Sequence, residues 1–124
     1  MKKKIMMVDD EKAIIFSVKV GLEDINAGYE FIGVNSGEEC FHALKRGEIP
    51  DLILLDIMMP EMDGWDVFDK LRENSAWSDI PIVFLTARVD DVATNAGKFL
   101  AVDYISKPFE INDLKQRIDK ALEK

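Results

Sequence analysis

Polar side chains able to do chemistry follow four of the short apolar runs in this sequence. They are Asp9, Asp10, Asp56, Thr86 and Lys107. Carboxylates held close together repel one another, which raises their pKa values or calls for a cation. Carboxylate ligands with room for water suit Mg²⁺, and a carboxylate beside Mg²⁺ and an ammonium group can act as a nucleophile toward phosphorus. The residue types therefore predict a magnesium site that transfers a phosphoryl group, provided that the fold gathers them.

Asp56 is the candidate nucleophile because it ends an apolar run, Leu52–Leu55, that suits the inside of a protein. A lone buried carboxylate is costly, since it gives up its hydration without a replacement. The ammonium group of Lys107 can offset the charge of a transferring phosphoryl group, and the hydroxyl of Thr86 can hydrogen-bond one of its oxygens. We expect the strand before Asp56 to act as a rigid support with the nucleophile at its tip.

Five short apolar runs alternate with segments of helical period. The runs are Ile5–Val8, Phe31–Val34, Leu52–Leu55, Ile82–Leu85 and Val102–Ile105. This alternation predicts an α/β fold, a flavodoxin-like doubly wound parallel sheet of five strands in the order 2-1-3-4-5 with five helices. The third and fourth runs are apolar at every position, which is typical of central strands covered on both faces. Because parallel strands end at one edge of the sheet, the five polar side chains should meet there.

The limits of several helices are also marked in the sequence. Ser36 and Glu39 fit a capping box, and Asp63 is a candidate N-cap for the third helix, predicted from Trp65 to Arg72. Gly28 and Gly47 stand where helices should end.

Composition narrows the class of protein. The 124 residues contain no repeat or linker, so we expect one domain over residues 1–124. A net charge of −8 argues against direct nucleic-acid binding, which needs clustered Lys and Arg. The single cysteine, Cys40, forms no internal disulfide and is expected to fill the core. The basic start precedes an apolar stretch too short for a signal peptide, and no segment has the length to cross a bilayer. We expect a cytoplasmic protein with no membrane partner.

The motifs together resemble the receiver domain of two-component response regulators, and most of all single-domain forms similar to the chemotaxis regulator. They are VDDE (Val8–Glu11), LLDIMMPEMDGW (Leu54–Trp65), LTA (Leu85–Ala87) and DYISKPF (Asp103–Phe109). Each motif alone is modest evidence, whereas all four in this order and spacing are highly specific. The resemblance covers essentially the whole chain.

The resemblance implies a role for each residue of the metal site. Asp56 would accept the phosphoryl group and also ligate Mg²⁺. Asp10 would ligate the ion directly, Asp9 would act through water, and the backbone carbonyl of Met58 would complete the protein ligands.

The resemblance also implies a switch. Lys107 would pair with the phosphoryl group, and its bond to Pro108 would be cis. Thr86 would move to hydrogen-bond a phosphoryl oxygen, and Tyr104 would turn inward behind it. Partners would bind the face formed by the fourth helix, the fifth strand and the fifth helix. The phosphoryl donor would be a sensor histidine kinase or a histidine phosphotransfer protein, and the downstream effector is not identifiable from sequence.

Two departures from the family pattern concern the region before the fifth strand. Leu100 stands where the family usually has glycine, which disfavours a positive φ at that turn. The segment Val89–Phe99 has few large apolar residues, so we expect the fourth helix to be weakly anchored.

We expect no enzyme activity on an external substrate, only self-catalysed phosphotransfer and slow autodephosphorylation, and a monomer or weak dimer. Two alternatives stay open. The first alternative is a pseudo-receiver, that is, an interaction module that is not phosphorylated. The second is a phosphatase with an aspartyl-phosphate intermediate. Phosphatases that resemble the haloacid dehalogenase family carry a second Asp two residues after the nucleophile, and Met58 holds that position here. The sequence leaves open whether the chain is a complete protein or part of a longer one.

Overall fold

The computed structural model describes residues 2–87 and 101–123, and the elements below are those within these ranges. The strands are β1 (Lys4–Val8), β2 (Glu30–Val34), β3 (Leu52–Asp56), β4 (Ile82–Thr86) and β5 (Asp103–Ser106). The helices are α1 (Lys12–Asp24), α2 (Gly37–Lys45), α3 (Gly64–Glu73) and α4 (Ile111–Leu122). The fourth predicted helix and Leu100 fall in residues 88–100, outside the described part of the chain.

All five strands are parallel and form one sheet in the order β2-β1-β3-β4-β5, which confirms the predicted flavodoxin-like topology. Each predicted strand is present, with limits that differ by no more than one residue. Because β3 lies at the centre of the sheet, its carboxyl end is flanked by those of β1 and β4. The fold therefore places Asp56 between the residues that follow β1 and those that end β4.

The sheet is covered on both faces by apolar side chains. Every residue of β3 and β4 is buried, as the continuous apolar runs predicted. Alternate residues point to opposite faces, as in any strand. Met6, Ile53 and Phe84 lie in the layer that includes α2 and α3, whereas Ile5 and Leu54 lie in the layer that includes α1 and α4.

Helix caps follow the sequence signals in part. Asp63 caps α3 with a reciprocal box, in which its carboxylate accepts the Asp66 N–H and the Asp66 carboxylate accepts the Asp63 N–H. Ser36 caps α2 by accepting the Glu39 N–H at 3.0 Å. The return half of that box was predicted wrongly, because the Glu39 carboxylate accepts the N–H of Asn35, at 2.9 Å, rather than that of Ser36. The extended backbone at Ser36 (φ −161°, ψ 164°) presents the earlier N–H to the carboxylate.

A glycine, Gly47, ends α2 as predicted, but Gly28 does not end α1. The left-handed residue after α1 is Asn26 (φ +53°), and the Ala27 N–H closes that helix end on the Leu22 carbonyl. Gly28 has φ +79° and Gly47 has φ +93°, values in the left-handed region that side chains other than glycine rarely adopt. Cys40 is fully buried as a free thiol in the layer that includes α2 and α3. Among the residues that the structure covers, no helix has the length and apolar character needed to span a membrane.

Candidate functional site

The carboxyl edge of the sheet gathers the predicted chemical groups. Asp9 follows β1, Asp56 is the last residue of β3, Thr86 ends β4, and Lys107 follows β5. The structure thus brings four separate strand ends to one pocket because the strands are parallel.

Lys107 lies between two buried carboxylates. Its Nζ is 2.7 Å from Asp9 Oδ2 and 3.1 Å from Asp56 Oδ1. Asp9 is 0% and Asp56 3% exposed, and the Lys107 side chain is 11% exposed. One ammonium group therefore serves two carboxylates in a site from which most water is excluded, where ion pairing is strong.

Asp9 uses both of its carboxylate oxygens within the protein. Oδ2 accepts from Lys107, and Oδ1 accepts the backbone N–H of Glu11 at 2.9 Å. This second bond was not predicted from sequence, although an Asp that accepts the N–H two residues later is a common local motif. The carboxylate is held in place before any ligand arrives.

Asp9, Asp10 and Asp56 form an acidic cluster suited to a metal ion. One oxygen from each of the three carboxylates lies within 4.8 Å of the others. Asp10 is exposed, so water can reach this side of the cluster. Carboxylate oxygens with access for water are the donor set that Mg²⁺ prefers, so the residues fit the predicted ion. Met58 lies in the loop after β3, with its side chain exposed.

The ionisation of Asp56 and Lys107 reflects burial and the crowding of charge. The pKa of Asp56 is raised to about 6, first by burial and then by the charge of Asp9, while Lys107 opposes the rise. For Lys107, burial alone would lower the pKa, but the hydrogen bond with Asp9 and the charges of Asp56 and Asp9 raise it above the usual value. Near neutral pH, Asp56 is therefore mainly a carboxylate and Lys107 an ammonium.

Thr86 is buried at the end of β4. Asp56 pairs with Leu85 in the parallel ladder, so Thr86 lies one residue further along the neighbouring strand. The Thr86 carbonyl accepts the Lys107 N–H at 2.7 Å, which fixes the backbone that carries the lysine. The peptide bond from Lys107 to Pro108 is cis, the isomer that the resemblance implied.

The start of α3 packs directly on the end of β3. The Gly64 N–H donates to the Ile57 carbonyl at 2.9 Å. A Cβ at Gly64 would lie 2.5 Å from the Asp56 carbonyl oxygen and 2.8 Å from the Ile57 Cα, closer than real atoms approach. Glycine is therefore required for this contact, which positions the loop next to Asp56.

The sheet order and the acidic pocket at its carboxyl edge define a class of flavodoxin-like α/β domains with a buried aspartate at the tip of the central strand. Within that class, the chain belongs to the response regulator receiver domain family, whose model matches residues 5–119. The resemblance to receiver domains drawn from the motifs is thereby confirmed.

Relatives of known sequence and structure are consistent with this family. The chain is 42% identical over 122 residues to the probable transcriptional regulator ycf27 of Porphyridium aerugineum, covering 98% of this chain and 48% of that protein. It is 39% identical over 125 residues to the alkaline phosphatase synthesis transcriptional regulatory protein PhoP of Bacillus subtilis, covering 98% and 49%. A crystal structure of a response regulator from Thermotoga maritima has a TM-score of 0.83 at 30% identity, with 100% of both chains covered. The chain spans about half the length of the curated relatives it matches.

Proposed function

We propose that the chain is a phosphoryl-accepting receiver in a two-component system or phosphorelay. An ionised Asp56 attacks the phosphorus of a phosphohistidine on a sensor histidine kinase or histidine phosphotransfer protein. A P–O bond to Asp56 forms and the P–N bond breaks. The electron pair stays on the ring nitrogen, and the ring, which carries a proton on its other nitrogen, leaves as neutral imidazole. The observation that carries the proposal is the Lys107 ammonium bonded at once to Asp56 (3.1 Å) and Asp9 (2.7 Å) in a buried pocket.

The protein groups supply position and charge. Asp56 is fixed at the end of a fully buried strand, which limits the directions from which a donor can approach. Lys107 is already within bonding distance of the carboxylate that would carry the phosphoryl group, so its charge offsets the negative charge that arrives. Thr86, one residue beyond the partner of Asp56 on β4, is the hydroxyl proposed to bond a phosphoryl oxygen.

The acidic cluster is proposed to hold Mg²⁺. Asp10, Asp56 and the Met58 carbonyl would be direct ligands, and Asp9, whose two oxygens are already bonded to protein groups, would act through water. When bound, the ion would neutralise charge on the transferring phosphoryl group.

The switch is proposed to run from Thr86 to Tyr104, and partners are proposed to bind the face that includes β5 and α4. The fourth predicted helix, which completes that face by the resemblance, lies outside the described residues.

We further propose a cytoplasmic monomer or weak dimer that turns over no external substrate. The phosphatase alternative is disfavoured because Met58, whose thioether holds no proton to give, stands where a general acid would be needed.

Intact-mass measurement after incubation with Mg²⁺ and acetyl phosphate tests the assignment. Wild-type protein should gain the mass of one phosphoryl group, and Asp56→Asn should gain none. Asp69→Asn, which alters an exposed acid of α3, is the matched control and should react like the wild type. No adduct on the wild type would favour the pseudo-receiver, and an adduct that persists in Asp56→Asn would refute Asp56 as the acceptor.

A further inference from the structure

Three aromatic rings form a continuous contact from the start of α3 to β5. The Trp65 and Phe84 ring centroids are 4.6 Å apart, and those of Phe84 and Tyr104 are 5.5 Å apart with an angle of 18° between the ring planes. Phe84 is fully buried, whereas Trp65 and Tyr104 are half-buried. Rings in such contact restrict each other's orientation, because stacked and tilted pairs have preferred geometries.

The backbone fixes one end of this contact. Phe84 and Tyr104 are direct partners in the parallel ladder between β4 and β5. The same ladder pairs Thr86 with Ser106 two residues further on. Tyr104 therefore lies beside Phe84 because of strand register.

The other end of the contact reaches the backbone of Asp56. Gly64 has no space for a Cβ against the Asp56 carbonyl oxygen, and Trp65 is the next residue of α3. Protein interiors are close-packed, so a displacement of the Asp56 backbone cannot be absorbed by a gap at Gly64. It must move the first turn of α3, and Trp65 with it.

We propose that Phe84 is a positioning residue that couples the state of Asp56 to the ring of Tyr104 through Trp65, in addition to the route through Thr86. The inference rests on the proposed function, since it requires a phosphoryl group at Asp56. A chain of packed side chains carries such coupling only if its members change arrangement together. Leucine at position 84 would keep an apolar side chain there but remove the ring face on which Tyr104 stacks.

Fluorine NMR of protein labelled with 3-fluorotyrosine measures this coupling, because the chain has only two tyrosines. Tyr29 is an internal reference, since its hydroxyl donates to Asp119 and to the Lys115 carbonyl at 3.4 Å, away from the site. Beryllofluoride with Mg²⁺ serves as the phosphoryl mimic. In the wild type, its addition should shift the Tyr104 resonance and leave that of Tyr29 in place.

Two substitutions break the contact at different points, and a third is the control. Phe84→Leu and Trp65→Leu should each reduce the Tyr104 shift about threefold or more, while the signal of bound beryllofluoride is retained. Phe41→Leu removes a partly buried ring that packs on Trp77 in the same layer, with ring centroids 5.8 Å apart, and should leave the shift largely unchanged. A structural loss in that layer would affect all three variants alike, whereas the proposed coupling would not.

The outcomes separate this inference from the proposed function. If the wild type shows no bound-beryllofluoride signal, the proposed function fails and the coupling with it. If the mimic binds but Tyr104 does not respond, or responds equally in wild type, Phe84→Leu and Trp65→Leu, the coupling alone is overturned. Should Phe84→Leu fail to fold, Trp65→Leu decides the matter, because Trp65 is only half-buried and its substitution disturbs the core less.

Discussion

At the scale of single residues, the described part of the site holds three carboxylates and one ammonium group, so its negative charge exceeds its positive charge. Lys107 pairs with Asp9 and Asp56, while Asp10 adds a third carboxylate within 4.8 Å of the other two. Burial removes water from the Asp56 carboxylate and so raises the free energy of its ionised form. This loss of hydration, together with the nearby negative charge, is the physical origin of the raised pKa of Asp56. The folded protein therefore gives up stability by holding Asp56 as a buried carboxylate at this position.

This cost should appear as a pH dependence of stability in the absence of divalent cations. The pKa of Asp56 is about 6 in the folded protein against a model value of 3.8, so between those values the native state binds more protons than the unfolded state. Stability contributed by protonated Asp56 is present below that window and is lost as the pH rises through about 6. Urea unfolding in EDTA from pH 4 to pH 7 should show the wild type losing about 2 kcal/mol relative to Asp56→Asn.

Asp69→Asn is the control for this experiment, because the carboxylate it removes is exposed on α3. Its free energy of unfolding should change with pH in parallel with that of the wild type. If the wild-type and Asp56→Asn curves are parallel as well, burial does not raise the pKa of Asp56.

Bound Mg²⁺ should restore the stability that is lost through repulsion among the three carboxylates. A ligand that binds only the native state stabilises it by about 2.7 kcal/mol at a hundredfold excess over its Kd. Mg²⁺ should therefore raise the melting temperature of the wild type, and Asp10→Ala should respond less. Relief of repulsion should also raise the melting temperature of Asp10→Ala in EDTA. An undiminished Mg²⁺ response in Asp10→Ala would contradict the assignment of Asp10 as a ligand.

The composition of the site was predictable from sequence, and its internal bonding was not. Carboxylates and a lysine placed after the strands of a parallel sheet must share one edge, so Asp9, Asp56 and Lys107 could be grouped from their positions alone. Which carboxylate Lys107 approaches more closely depends on side-chain conformations across 98 and 51 residues of sequence separation. Nothing local in the sequence specifies those distances.

At the scale of elements, the end of β3 and the start of α3 act as one rigid unit. Gly64 touches the Asp56 carbonyl without space for a methyl group, and the reciprocal cap between Asp63 and Asp66 fixes the first turn of the helix. The position of Asp56, the proposed nucleophile, thus depends on a helix as well as on its own strand.

Gly64→Ala should disturb this unit. The added Cβ would meet backbone atoms of Asp56 and Ile57 at 2.5 and 2.8 Å, and backbone atoms in a buried strand end cannot move aside easily. We expect a loss of roughly 1–3 kcal/mol in the free energy of unfolding and slower labelling of Asp56 by acetyl phosphate.

Gly37→Ala is the matched control for that substitution, at the start of α2. Its Cβ would meet the Met62 Sδ at 2.6 Å and the Val67 Cγ2 at 2.8 Å. Both are side-chain atoms, and the flexible methionine can shift. Urea unfolding should show a smaller loss than in Gly64→Ala, with the labelling rate unchanged. Equal losses in both variants would mean that the contact at Gly64 has no special role.

Strands were easier to predict than their limits and the helix caps. The runs that became β3 and β4 are apolar throughout and were located directly, because burial on both faces leaves no alternation to misinterpret. The fifth apolar run begins one residue before β5, since Val102 is apolar but 39% exposed and precedes the strand. Apolar character reports burial on average and does not fix where hydrogen bonding to the neighbouring strand begins.

At the scale of the whole molecule, side-chain contacts join segments that are far apart in the sequence. The Tyr29 hydroxyl, just before β2, donates to the Asp119 carboxylate on α4, and Lys115 pairs with the same carboxylate at 2.5 Å. Arg117 makes a two-point contact with Asp103, at 2.8 Å for each bond, and so joins α4 to β5. Sequence reasoning found none of these bonds, because they depend on the relative placement of packed elements rather than on local pattern.

The bond from Tyr29 to Asp119 should stabilise the packing of α4 in the layer that includes α1 and α4. Burial, the hydrogen bond to Asp119 and its charge all raise the pKa of Tyr29, while the pKa of Asp119 is lowered because its bonds to Lys115 and Tyr29 outweigh burial, which would raise it. Tyr29→Phe keeps the ring and removes only the hydroxyl, so it should lower the free energy of unfolding by about 1 kcal/mol and increase amide exchange in α4.

Tyr29 precedes β2 and so lies at the opposite edge of the sheet from Asp56, which predicts unchanged labelling by acetyl phosphate. A double-mutant cycle with Asp119→Ala isolates the pair from the bond to Lys115, and losses that add to within about 0.3 kcal/mol would show that the two side chains do not stabilise each other.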